Sequence, residues 1–250
     1  MPKILKTRGI CLVSRRLRET TKLVTFYTEN FGKVAFVAKG ARNPKSKFGS
    51  ALEIFTLSEL IFYRTESRPT YLLSDATAID TFADLKSPDK FFYANQITEL
   101  ILRAVTNEDP NHKLYILLYS ALKNLNYANS KKSANFPSLV NAYFLKAISI
   151  LGYKPELRCC VLCKNPKATY FSIEAGGIVC NSTKHPKLHN TVDIAYAKIL
   201  KHLLTTPLSK TLSFSIPKFT QKLIQDYITY HLEKIELYSL KYNSDIFKTT

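Results

Sequence analysis

Around "DLKSPDK", residues 84–90, the spacing of apolar side chains switches from strand-like to helix-like, and no other feature restricts the fold as much. Before it, Ile4–Val13, Leu23–Thr28, Lys33–Lys39, Leu52–Tyr63 and Tyr71–Thr77 are rich in the β-branched and aromatic residues that suit a pleated, half-buried surface. Within "TENFGKV", Asn30 and Gly32 supply a turn between the second and third of these segments. Five short strands fit a small closed barrel, of OB-fold or SH3-like type, and patterning does not separate the two. After Pro88 the helical period takes over, with Ile97, Leu100, Ile101, Ala104 and Val105 on one stripe and Leu114, Leu117, Leu118, Ala121, Leu122 and Leu125 on the next. Pro137 suits the first turn of a third helix, which carries Val140, Phe144, Ala147, Ile148 and Leu151 to a stop at Gly152. Val192–Leu204 and Lys218 to about Tyr238 read as two more helices, and the polar stretch Asn124–Asn135 as a helix–helix loop. His231 shares an apolar stripe with Leu223, Ile224, Tyr227 and Ile228, the place of a structural histidine. The expected fold is therefore α+β and multi-domain, with a barrel over residues 1–80 and a helical domain over residues 81–250.

Charge is distributed unevenly between these parts. The chain has 250 residues and a formal net charge of +17. Twelve basic residues fall within Met1–Ser50 against Glu19 and Glu29 alone, so one fifth of the chain holds ten of those charges. Concentration of this kind points to a polyanionic partner rather than to general solvation. The densest stretch is "FVAKGARNPKSKFG", where Lys39 leads into a loop whose Gly40 and Gly49 bracket Arg42, Lys45 and Lys47, with no acid among these four. Arg15, Arg16 and Arg18 are expected in the first inter-strand connection, where they can line the same face. Such cations hold phosphates without reading sequence. Tyr27 and Phe36 are expected to fill the barrel, whereas Phe48, in the loop, is the best candidate to stack on bases.

The start "MPKILKTRGI" has no apolar signal region, and no apolar run reaches the roughly 18 residues of a membrane span, so a cytoplasmic location is expected. Signatures of zinc proteases, nucleotide-binding loops and dinucleotide folds are lacking. Asp75, Asp80 and Asp84 are the carboxylates a metal-dependent nuclease would need, but they suit a solvated linker better. A binding protein is expected, not an enzyme.

Five cysteines, four of them crowded between Cys159 and Cys180, do not make a secreted disulfide framework. Cys160-Val-Leu-Cys163 is a C-x-x-C turn, and sixteen residues separate Cys163 from Cys180. In the C-x₂-C-x₁₅₋₂₀-C-x₂-C pattern of structural zinc sites the last position here is Thr183, which is no ligand. Cys160, Cys163, Cys180 and His185 make a Cys₃His set, with Cys159 and His189 in reserve. The alternative is a degenerate site whose cysteines simply pack.

The segments "TRGICLVSRRLRETTKLVTFYTENFGKVAFVAKGARNPKS", "NAYFLKAISILGYKPEL", "FSIEAGGIVC" and "YHLEKIELYSLK", in this order and with the C-x-x-C turn, resemble the RecO family of bacterial recombination mediators nearly end to end. The resemblance implies an N-terminal OB-fold and a helical domain with a zinc-finger-like insertion at about residues 156–190. It implies binding of single- and double-stranded DNA, annealing of complementary strands, and partnership with RecR and single-strand-binding protein. With these the family loads RecA onto coated single strands in the bacterial nucleoid. The acidic, aromatic-ended tail of single-strand-binding protein is expected in an apolar groove of the helical domain. Two positions depart from the family pattern: Asn43 stands where a second arginine is usual, and Thr183 where the fourth cysteine is. An RNA- or ribosome-associated OB-fold module is the alternative reading.

Overall fold

The first strand serves two neighbours. In β1 (Lys3–Arg16), residues Lys3–Ile10 pair with β4 (Leu57–Arg64), and residues Gly9–Arg16 pair with β2 (Lys22–Thr28). A register shift between Cys11 and Val13 breaks the regular β1–β2 ladder, the position at which a bulge bends a strand from one partner to the next. Next, β2 pairs with β3 (Gly32–Ala38), and β3 runs parallel to β5 (Tyr71–Asp80) at Phe36↔Tyr71 and Val37↔Leu72. With β4 between β5 and β1, the sheet closes into a barrel of order β1-β2-β3-β5-β4. A plain meander would place β3 beside β4, so this order settles the choice left by the sequence in favour of the OB-fold. The computed structural model describes residues 3–64, 70–129, 134–182, 186, 188–189, 191–232 and 237–238.

The barrel interior is aromatic. Phe26, Phe36, Phe62 and Tyr71 meet in a chain of ring contacts with centroids 5.0–6.0 Å apart. Tyr27 and Phe36 are fully buried, as expected of barrel-filling side chains. The run expected as a strand from Leu52 begins later. Gly49–Leu52 is a single 3-10 turn whose Ala51 and Leu52 join the barrel core, and β4 starts at Leu57. Cys11 exchanges backbone hydrogen bonds with Phe55 (2.8 Å) and Thr56 (2.9 Å), which secures this plug against β1. Burial raises the Cys11 thiol far above its ordinary range, so it stays protonated.

The chain divides into two compact units, Met1–Tyr127 and Ala128–Thr250. In the first, α1 (Pro88–Ala104) and α2 (His112–Tyr127) accompany the barrel. Lys33 of β3 donates from Nζ to the Leu102 carbonyl at 2.7 Å, satisfying an acceptor in the last turn of α1. The buried ammonium of Lys90 donates to the Asn126 carbonyl at 2.6 Å and so does the same for α2.

In the second unit α3 (Phe136–Ile150) is buried along most of its length, with Pro137 in the first turn and Gly152 two residues past its end. Around it lie α4 (Ile194–Thr205), α5 (Leu208–Thr211) and α6 (Lys218–His231). A small sheet precedes α4, with β6 (Tyr170–Ser172) between β7 (Gly177–Val179) and β8 (Thr191–Asp193). Residues 192 and 193, expected as helix, are strand; the Asp193 carboxylate instead caps α4 by accepting from the Ala195 N–H at 2.7 Å. His231 donates from Nε2 to the Ile173 carbonyl at 2.8 Å and packs on Tyr227, with ring centroids 4.2 Å apart. Its role is structural. The expected run of this helix to Tyr238 crosses residues 233–236, which lie outside the described residues.

Candidate nucleic-acid surface and cysteine cluster

The basic loop is folded by its own backbone. Asn43 N–H donates to the Gly40 carbonyl at 3.1 Å and Ser46 N–H to the Asn43 carbonyl at 2.9 Å, while Gly40 and Gly49 both hold positive φ, +73° and +48°. Phe48 anchors the end of the loop. It is 4% exposed and belongs to the barrel core, so it offers no face to a base, and the expected stacking role is overturned. The reason is that Phe48 packs with Ala51 and Leu52 into the core of the barrel strands. The Lys47 ammonium sits 5.6 Å from the Phe48 ring centroid, a cation–π contact that leaves the charge exposed.

A second set of bonds ties the loop to the β1–β2 connection. Arg42 N–H donates to the Thr20 carbonyl at 3.1 Å, and Arg42 Nη1 donates to the carbonyls of Arg18, at 3.4 Å, and Glu19. Arg15 and Arg16 lie on the last two residues of β1 rather than in the connection, paired with Leu23 and Lys22. Lys22 in turn pairs with Ala38, the residue before Lys39. Register and loop bonds thus gather the backbone of Arg15, Arg16, Arg18, Lys39 and Arg42 at one end of the barrel, with Lys45 and Lys47 further along the same loop. All seven side chains reach solvent. Among the described residues none of them forms an ion pair, whereas nearby Lys22 is held by Glu53 at 3.2 Å. Sequence reasoning missed the apolar company of these cations. Leu17, 46% exposed, sits in the connection itself, and on the outer face Leu23 and Val37 continue the row from Arg15 to the exposed Leu72. The signal was present in β2 and β3 as apolar residues on the outward phase.

The cysteine cluster is assembled by a hairpin that needs glycine. Ile178 N–H donates to the Glu156 carbonyl at 2.9 Å, and Val161 N–H to the Ile178 carbonyl at 2.9 Å, so the segment entering the C-x-x-C turn lies against β7. At Gly177 a Cβ would stand 2.4 Å from the Glu156 oxygen, an approach open only to glycine. Lys164, at φ +62°, turns the chain back, with its N–H on the Cys160 carbonyl at 2.9 Å. Cys180 follows β7 directly, and the Sγ atoms of Cys160, Cys163 and Cys180 lie within 4.8 Å of one another. Cys163 and Cys180 stand 3.4 Å apart. Four thiolates around one zinc at about 2.3 Å stand roughly 3.8 Å apart, so the trio fits three corners of such a tetrahedron. These three cysteines can hold a metal ion.

Burial of Cys160 works against its ionisation, but backbone N–H groups of Cys163, Cys180 and Leu162, with the Cys163 thiol, outweigh it and bring the thiol to about 6. A hydrogen bond that the Cys180 thiol donates to Cys163, then burial, a further bond to Cys160 and the charge of both neighbours, push Cys180 up to about 11. Among the described residues Cys159 and His189 do not join the group, and the His189 N–H is turned to the Glu174 carboxylate at 3.3 Å. His185 and Thr183 lie outside the described residues.

Comparison with known proteins also finds two parts, but meeting just after the barrel rather than at Tyr127. Residues 1–82 match the family model described as recombination protein O N terminal, and residues 85–241 the one described as recombination protein O C terminal. The chain is 32% identical to a DNA repair protein RecO of Caldanaerobacter subterraneus, over 92% of the chain and 94% of that protein. It is 32% identical to the one of Desulforamulus reducens over 93% and 91%, and 36% identical to that of Bifidobacterium adolescentis over 72% and 73%. No helix among the described residues is long and apolar enough to cross a membrane.

Proposed function

Because the chain belongs to the RecO family of DNA repair proteins, we propose that its barrel binds single- and double-stranded DNA and that the protein anneals complementary strands. The observation that carries this reading is the tie between Arg42 and the β1–β2 connection, which gathers unpaired cations at one end of an OB barrel. Lys39, Arg42, Lys45, Lys47, Arg15, Arg16 and Arg18 contact phosphates and release their counterions, so binding follows salt and ignores sequence. Annealing then needs no catalytic residue. Screening two polyanions on one basic surface lowers their repulsion, and base pairing drives the rest.

Beside the cations, Leu17 and the outer row through Leu23 and Val37 give the bases an apolar surface in place of Phe48. In the second unit, a cavity of about 320 Å³ lined by Lys198, Ile199, His202, Phe214, Ile216 and Pro217 has the apolar floor and cationic rim that suit the acidic tail of single-strand-binding protein. RecR and that protein are the partners through which RecA would gain access to coated strands. Zinc would be held by Cys160, Cys163 and Cys180, with His185 as the fourth ligand. A closed set of protein ligands gives the ion a structural role, fixing the C-x-x-C turn to the hairpin.

The deciding experiment anneals complementary oligonucleotides coated by the cognate single-strand-binding protein. Annealing that falls as salt rises supports the reading. Failure to anneal, with structured RNA bound in preference to DNA, replaces it with an RNA-binding module. Strand cleavage in Mg²⁺ or Mn²⁺ replaces it with a nuclease.

A further inference from the structure

Two sulfurs of the cysteine cluster lie close to bonding distance while belonging to different segments. Cys163 is in the turn and Cys180 ends the hairpin, and their Sγ atoms stand 3.4 Å apart. A closure of about 1.4 Å would bring them to the disulfide length of about 2.05 Å. Exposure ranks the three thiols: Cys163 is open to solvent, Cys180 is half-buried and Cys160 is buried. The turn is held by backbone bonds, with Cys160 N–H on the Asn165 carbonyl at 2.8 Å and Lys164 N–H on the Cys160 carbonyl at 2.9 Å. The pair is therefore poised by the chain itself, whatever ion the sulfurs hold.

We propose that Cys163 and Cys180 are a reversible redox pair, closed to a disulfide by an oxidant of the peroxide class and reopened by a dithiol. The exposed Cys163 sulfur attacks one peroxide oxygen; the O–O bond breaks, Cys163 carries S–OH, and the second oxygen leaves as water with the thiol proton. The Cys180 sulfur then attacks the Cys163 sulfur; the S–O bond breaks and the departing hydroxyl takes the Cys180 proton as a second water. Two thiols lose two electrons and one peroxide becomes two waters. A dithiol reverses the bond and is itself oxidised to a disulfide. Closure removes two of the three sulfur donors, so the disulfide and a bound metal exclude one another. The buried Cys160 takes no part in the bond.

The test treats the reduced, chelator-washed full chain with one equivalent of hydrogen peroxide. Two of the five thiols should disappear, a dithiol should restore both, and peptide mapping should find the Cys163–Cys180 link. Cys163→Ser and Cys180→Ser should each abolish the link, and Cys159→Ser should keep it. Zinc-loaded protein should release its ion in step with the link, read by a chromogenic chelator. A link through Cys159 or Cys160, over-oxidised Cys163 without a link, or no loss of thiols would each overturn the proposal. The map of the unsubstituted protein decides the matter even where a variant fails to fold.

Discussion

Arg42 donates from its guanidinium to the carbonyl of Arg18, 24 positions earlier in the chain, at 3.4 Å. A cation expected to meet phosphate thus also fixes the loop on which its neighbouring cations stand. One nitrogen serves the two carbonyls of Arg18 and Glu19, and guanidinium carries five N–H donors, so most remain for an anion. Order and charge are supplied by one side chain.

Changing Lys39 and Arg42 together to Ala should reduce the log–log salt slope of DNA binding by about one to two units, one for each phosphate that the variant no longer neutralises. Arg42→Lys separates the two roles. It keeps the charge and hence most of the slope, but an ammonium has three donors against the five of guanidinium, so fewer remain for phosphate once both carbonyls are served, and affinity should still fall. Anisotropy titrations with a fluorescent oligonucleotide over a salt series measure both. An unchanged slope in the double variant would place the phosphate-binding surface elsewhere.

Phe48→Ala should destabilise the protein by about 3–4 kcal/mol, the cost of emptying a buried aromatic site. Phe48→Leu keeps most of the volume and should cost under about 1.5 kcal/mol. Urea unfolding gives both values. The leucine variant then decides the role of the ring. Stacking of one base on an aromatic ring is worth roughly 1–3 kcal/mol, so a fall in DNA affinity on that scale in a folded Phe48→Leu protein would contradict the packing role.

The sequence was most legible where a local pattern reports directly on geometry. The β-branched runs located the barrel strands, and Pro137 and Gly152 marked the start and end of α3. It was least legible where the partner lies far along the chain. Phe48 sits between lysines in a loop, and only closure of the barrel shows that its ring belongs inside. Leu52 heads an apolar run that reads equally as strand or as plug, because burial on all sides leaves no period. The three residues of β8 are too few to show any period, so the helical signal of α4 spread over them. In the cysteine region the C-x-x-C turn and Cys180 were legible from spacing. The role of "EAGG" was not, because the Glu156 oxygen that forbids a Cβ at Gly177 approaches from 21 positions away in sequence.

Gly177→Ala should loosen the cysteine hairpin. The added methyl would meet the Glu156 oxygen at 2.4 Å and Val161 at 2.8 Å, and relief requires moving the segment that leads to Cys160. Overpacking of this kind costs about 1–3 kcal/mol. Thermal unfolding should fall accordingly, and metal retained through purification should fall with it. Gly152→Ala is the comparison, since nothing lies within 4 Å of a Cβ there and its strain comes from φ +103° alone. Metal retained at Gly177→Ala but absent at Gly152→Ala would contradict the account.

Stability should also show an acid limb from Glu156. Hydrogen bonds from the Arg158 side chain and backbone hold its carboxyl at about 2, below an ordinary value of 4.5. A depressed folded value contributes stability above the unfolded value and loses it as pH falls through the folded one. The difference in thermal midpoint between the native chain and Glu156→Gln should therefore be constant above about pH 5 and shrink toward zero near pH 2. High salt should reduce it, because the Arg158 partner is largely exposed. A difference unchanged at pH 2 would place the origin of the effect outside this pair.

The metal carries the last prediction. Protein purified without chelator should hold one zinc per chain on Cys160, Cys163, Cys180 and His185. Loading should release protons, because thiols bind as thiolates, and retention should weaken as pH falls. Cys160→Ser should lower the thermal midpoint by roughly 5–10 °C, equivalent to about 2–3 kcal/mol for a chain of this size. The barrel's DNA binding should be little changed, since the basic end is built from β1, β3 and their loops. His185→Ala tests the fourth ligand. Stoichiometric zinc that survives this change and vanishes in Cys159→Ser would move the fourth ligand to Cys159. A native chain without zinc would leave the three sulfurs as a packed cluster, with the redox chemistry of Cys163 and Cys180 as their remaining use.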